Sequence, residues 1–222
     1  MLMTIKQQQG MSLVEMLVSL VAGLVVVAGG ISLFTSVIVS GNTTLMLSRL
    51  NQDVQAVTDI IARDIQRAGY HPSAAVEMAD EVSPALSVAR KYIFSTTADL
   101  YTAAGDTKPN CIRVKYWDPE PASGTGSVVR TYGYASSSKL LRVNTLYSEP
   151  SSAALASADC TTGAQLVSSP EVRIDNLSFE LVSGSTPTGV RAVNIRISAS
   201  HARNPDLSIS LERRVKVRND GY

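Results

Sequence analysis

Polar and apolar positions divide the chain into three regimes. Residues 1–10 are polar, with Lys6 followed by Gln7, Gln8 and Gln9. An apolar run begins at Met11 and continues to Val39, and its core, 13–34, exceeds the roughly 20 residues that span a bilayer core. Beyond Ser40 the run becomes amphipathic. Leu47, Leu50, Val54, Val57, Ile61, Ile65 and Ala68 recur at three- and four-residue spacing, which puts them on one helical face. Asp53, Gln55, Asp59, Arg63, Gln66 and Arg67 lie largely off that stripe, with Asp59 and Arg63 in the favourable i, i+4 order. Arg63 and Arg67 suit the negative end of a helix dipole, Gly69 reads as a cap and Pro72 as a stop. The pattern predicts one helix over about 11–69.

Past the helix the period changes from 3.6 to 2. Pro72, Pro84 and Pro109 mark bends in a connecting stretch, with one short strand expected at 91–95. Strand-like runs follow at 111–117, 128–134 and 140–146, separated by turn-formers that include Pro119, Pro121, Gly124 and Gly126. The Ser- and Ala-rich segment 148–159 reads as a loop, and longer strands are expected at 172–182, 190–199 and 207–217. Val193, Ile195 and Ile197 alternate with Asn194, Arg196 and Ser198, as Leu207, Ile209 and Leu211 do with Ser208 and Ser210. Such alternation predicts an antiparallel sheet with one buried and one wet face. The amphipathic helix supplies a matching apolar face, so the expected fold is α+β: a long N-terminal helix packed on an antiparallel head over 70–222.

Charge placement says more than the formal net charge of +1. Between Met11 and Ser48 the only ionisable side chain is Glu15. A carboxylate near the start of a membrane helix costs about 3 kcal/mol unless it pairs, protonates or reaches the interface. A plain single-pass anchor with Lys6 inside does not explain it. A removable signal peptide cut near Val26 and Ala28 is open on the small-residue rule, although the apolar run continues through Ile31, Leu33, Phe34, Val37 and Ile38.

Gly10-Met11-Ser12-Leu13-Val14-Glu15, followed by unbroken apolar sequence, resembles the prepilin leader of type IV pilins and type II secretion pseudopilins. The resemblance implies that 1–10 is a leader, that a prepilin peptidase cuts between Gly10 and Met11, and that the new Met11 amine is methylated. It also makes Glu15 the fifth residue of the mature chain, placed for subunit assembly. An amine there stays cationic near neutral pH. Glu15 of one subunit can therefore meet the Met11 amine of its neighbour in a dry filament core, a register device more than a source of net stability. Glycines at 23, 29, 30 and 41 read as close-packing positions, and the Gly29-Gly30 pair as a place where the helix could loosen in a filament. The junction Arg49-Leu50-Asn51-Gln52-Asp53 and Ala62-Arg63-Asp64-Ile65-Gln66-Arg67-Ala68-Gly69-Tyr70 resembles that of PilW-kind minor pilins and J-type minor pseudopilins.

Exported proteins commonly form disulfides, so Cys111 and Cys160 fit one bridge closing a loop of roughly 50 residues; two buried thiols are the alternative. No cofactor or metal is implied, since neither cysteine has a ligand at zinc spacing and Asp99 and Asp106 lack the carboxylates of a calcium loop. His71 and His201 read as exposed loop histidines. Arg213, Arg214, Lys216 and Arg218 read as a solvated strand face, without the aromatic interleaving of a nucleic-acid surface, so no nucleic acid is expected on this subunit alone. Enzyme activity is not expected. The expected role is a structural minor pilin that initiates or caps a type IV pilus, with a minor pseudopilin of a type II secretion system as the alternative and a membrane-anchored binding module as the different-class one. The implied partners are prepilin peptidase and other major and minor pilins. The implied location is the bacterial inner membrane, single-pass with a periplasmic head, before the filament.

Overall fold

The structure, a computed structural model, describes residues 12–79, 88–121, 125–167, 170–183 and 190–217; Gly10, Met11 and Arg218 lie outside them. Two compact units are present, Met1–Met46 and Leu47–Tyr222, and the 55-residue helix α1, Leu13–Arg67, contributes to both. In the first unit every described side chain from Ser12 to Asn42 is exposed. Several hydroxyls there bond back to the helix itself. Ser19 Oγ donates to the Glu15 carbonyl at 2.7 Å, Thr35 Oγ1 to Ile31 at 2.9 Å and Thr43 Oγ1 to Val39 at 3.0 Å. Such back-bonding satisfies a hydroxyl where no water would. The helix runs unbroken through Gly29 and Gly30.

In the second unit α1 buries Leu50, Val54, Val57, Ile61, Ala62 and Ile65; Leu47, expected on this stripe, stays 37% exposed. The stripe joins one hydrophobic core with two antiparallel sheets. The first has the order β1 (Leu100–Tyr101), β2 (Cys111–Trp117), β3 (Ser127–Ala135), β4 (Leu140–Leu146), β5 (Ala164–Gln165). The second has the order β6 (Val172–Ser183), β7 (Val190–His201), β8 (Asn204–Lys216). Three short helical pieces complete it: α2 (Ala74–Ala79), a 3₁₀ helix (Ala89–Tyr92) and α3 (Ser157–Thr161). The architecture is α+β, a long N-terminal helix with antiparallel sheets.

The end of α1 is built into the first sheet. Gly69 takes φ 80°, which a side chain would strain, and its N–H donates to the Lys115 carbonyl at 2.9 Å. Trp117 N–H returns a bond to the Tyr70 carbonyl at 2.8 Å. Together with β1 and an Arg113 N–H bond to the Asp99 carbonyl at 2.8 Å, this closes the edge of β2 away from β3, where an open edge would invite pairing with another chain.

Several expectations are corrected. The stretch 91–95 is not a strand, because the 3₁₀ turn Ala89–Tyr92 buries Ala89 and Tyr92 instead. The loop 148–159 runs into α3, which buries Cys160. Asp59 pairs with Arg213 of β8 rather than with Arg63, since β8 brings an arginine to that helix face. One wet face is true of β8, where Leu207, Ile209 and Leu211 are half-buried between exposed neighbours. Strand β2 differs from β8 in that its first six residues are all buried, Arg113 and Lys115 included.

Candidate functional site

The apolar half of α1 is the most distinctive chemical surface. It is the one helix among the described residues long and apolar enough to cross a membrane. Glu15 stands exposed in its first turn, and among the described residues no cation meets its carboxylate. A solitary carboxylate on an apolar helix needs a partner from outside the helix or a polar boundary.

In the second unit several charged groups are buried. Asp64 of α1 is 3% exposed and accepts from Arg130 of β3 at 2.9 Å and from the Tyr132 hydroxyl. Burial, reinforced by the Asp64 charge, pushes the Tyr132 phenol well above its ordinary range. This trio ties the helix to the middle of the first sheet. Its trace in the sequence is faint: Asp64 sits between Ile61 and Ile65, at the edge of the apolar stripe. Arg67 completes the region, its guanidinium 5.4 Å from the centroid of the buried Tyr116 ring.

A second network lies on the other face of β2. Asp99 is fully buried and bonds Arg113 Nε and Lys115 Nζ, each at 2.7 Å, as well as the Ser95 N–H at 2.7 Å. Arg113 Nη2 also donates to the Ala98 carbonyl at 3.1 Å and the Ala153 carbonyl at 2.7 Å. Burial lowers the Lys115 pKa against the opposing pull of Asp99. Both Asp99 oxygens are thereby committed to protein cations. Among the described residues no group of His, Cys, Asp and Glu is arranged to hold a metal.

The segment that covers this network is pinned by a disulfide between Cys111 and Cys160, whose Cα atoms are 5.8 Å apart. Leu155 packs beside it. Gly133 makes the close approach possible, since a Cβ there would lie 2.0 Å from the Cys160 carbonyl oxygen. The histidines are not the exposed pair expected. His71 is buried, stacked on Tyr92 at 4.8 Å and edge-on to Trp117 at 5.3 Å; desolvation lowers its pKa, with Glu77 opposing. His201 is 3% exposed, and its Nδ1 accepts the Arg203 and Asn204 N–H groups, each at 3.2 Å, in the β7–β8 turn. The His71 ring is held by junction packing and His201 Nδ1 by the turn, while His201 Nε2 is buried without a protein partner among the described residues.

An exposed apolar helix with one early carboxylate, continued by an amphipathic half under antiparallel sheets, defines a type IV pilin-like protein. The comparisons agree. Residues 5–31 match the prokaryotic N-terminal methylation motif, and residues 43–217 match prepilin peptidase-dependent protein B. The chain belongs to the family of prepilin peptidase-dependent protein B, a family of pilin-like structural proteins. No curated protein and no solved structure matches it.

Proposed function

We propose that the chain is a minor pilin of the PilW kind, a low-copy subunit that initiates or caps a type IV pilus. The observation that carries this reading is the methylation motif at 5–31 running directly into a wholly exposed apolar helix. In this reading residues 1–10 are a leader removed between Gly10 and Met11, the Met11 amine is methylated, and the chain waits in the inner membrane with 70–222 in the periplasm. Residues 13–34 form the span. On assembly the apolar helix moves from lipid to the filament core, which replaces one apolar solvent by another. Burial alone therefore contributes little to position, and packing and polar pairing set the register.

Glu15 meets the Met11 amine of the adjacent subunit in that core. Truncating it strands a cation in a dry site, at a cost of about 3–5 kcal/mol. Glu15→Ala is expected to lower recovery of the chain in purified filaments more than tenfold, with its amount in the membrane unchanged. Equal recovery of the variant and the unaltered chain would contradict the reading. The same helix and head suit a minor pseudopilin of a type II secretion system. Deleting the chain's gene separates the two: loss of surface pili with secretion intact supports the pilus, and the reverse supports the secretion system.

A further inference from the structure

A cleft of about 410 Å³ opens beside the last turns of α1, lined by Ile60, Arg63, Asp64, Gln66, Arg67 and Arg130. Three guanidiniums line it together with one carboxylate, and that carboxylate is already committed to Arg130 and Tyr132. Arg63 and Arg67 are exposed, and among the described residues neither meets a carboxylate. Arg130 is one-third exposed, and its Nε is buried without an acceptor. The helix C-terminus accounts for some of this positive charge. It does not account for Arg130, which arrives from β3. In a chain of net charge +1, the cleft is a local concentration of cations and not a sample of a basic surface.

We propose that this cleft receives the carboxylate of an acidic side chain from a neighbouring pilin-like subunit, an Asp or Glu flanked by an apolar residue. The proposal rests on the filament reading given above. Guanidiniums bind carboxylates through paired N–H donors, and two arginines without carboxylates leave such donors available. Ile60, 42% exposed on the rim, supplies an apolar neighbour for the residue beside the acid. A nucleic-acid strand fits less well. It calls for an extended basic track with exposed aromatic faces, whereas the guanidiniums here are confined to one cleft and the nearby Tyr116 ring is buried.

The test uses the full-length chain in cells that assemble the filament. A benzophenone amino acid is placed at Gln66 and, separately, at Leu24 in the apolar half, and crosslinked peptides are mapped by mass spectrometry. The Gln66 probe is expected to join a segment within a few residues of an Asp or Glu on another subunit carrying the methylation motif. Arg63→Glu with Arg67→Glu is expected to lower that yield at least tenfold, and reversing the partner's acid to Lys to restore it. Crosslinking from Leu24 should persist in the double variant, which shows that the chain still folds and assembles, and Arg63→Gln alone should give a partial loss. An unchanged yield in the double variant, a crosslink to nucleic acid, or a segment without an acid would overturn the proposal. Failure at Gln66 alone removes only this proposal; failure at both positions removes the filament reading and this proposal with it.

Discussion

Asp64 shows how much one side chain can decide. It accepts from a guanidinium and a phenol that otherwise lie in or beside an apolar core, so removing it leaves both without an acceptor. Asp64→Ala is expected to cost about 2–4 kcal/mol in denaturant unfolding, below the full penalty for a stranded buried charge because Arg130 is partly exposed. Tyr132→Phe, which removes one donor, should cost about 1 kcal/mol. Ordinary polarity rules put Asp64 on the wet side of the helix, because whether a carboxylate at the stripe edge is buried depends on what β3 offers it, and β3 is distant in sequence. His71 and His201 escaped for the same reason: their burial comes from Tyr92, Trp117 and a turn, not from their own neighbours' pattern. Burial also raises the phenol pKa of Tyr92, Tyr116 and Tyr132, and pushes that of Tyr134 up to about 12. A phenol whose folded pKa exceeds its unfolded value of about 10 contributes stability that is complete below pH ~10 and lost as pH rises through the folded value. Absorbance titration of tyrosinate should therefore show these four lagging the rest, with unfolding setting in above pH ~10. A single transition of all eight tyrosines near pH 10 would contradict their burial.

At the scale of elements, periodicity carried well where one face alone decides the pattern. The amphipathic stripe from Leu50 and the alternating strands β7 and β8 are of this kind. It failed where a segment is covered on both sides. Strand β2 reads Cys-Ile-Arg-Val-Lys-Tyr-Trp, a wet-and-dry alternation, yet Arg113 and Lys115 are buried because Asp99 and the disulfide-pinned segment cover them. The two-residue strands β1 and β5 carry too little pattern to be read. The covering segment gives two tests. Replacing Cys111 and Cys160 by Ser releases a loop with ends 49 residues apart, for which chain entropy gives a loss of about 4 kcal/mol. Limited proteolysis should then cut within 148–161, which the unaltered chain resists until reduced. Gly133→Ala should act on the same segment from beneath, since its Cβ would meet the Cys160 carbonyl; a loss of about 1–3 kcal/mol is expected in denaturant unfolding.

At the scale of the whole molecule, the chain separates two tasks. The described residues of the first unit expose their apolar side chains, while the second unit is stabilised by a shared core, buried ion pairs and a disulfide. Such a division suits a subunit whose apolar helix is exchanged between lipid and neighbouring helices while its head keeps one shape. This was the most legible level of all, because a charge-free run of that length with one early glutamate admits few physical settings. The choice between pilus and secretion system was not legible, since it lies in partners and not in this chain's own packing. The central claim is that the apolar helix is retained and processed at its start. Expressing the full chain with and without a prepilin peptidase, then determining the N-terminal residue and intact mass, tests it directly. The expected product with the peptidase begins at Met11 with one added methyl group on the amine, and without it the chain keeps residues 1–10. A chain cut near Ala28, or one left uncut with active peptidase present, would contradict the filament reading.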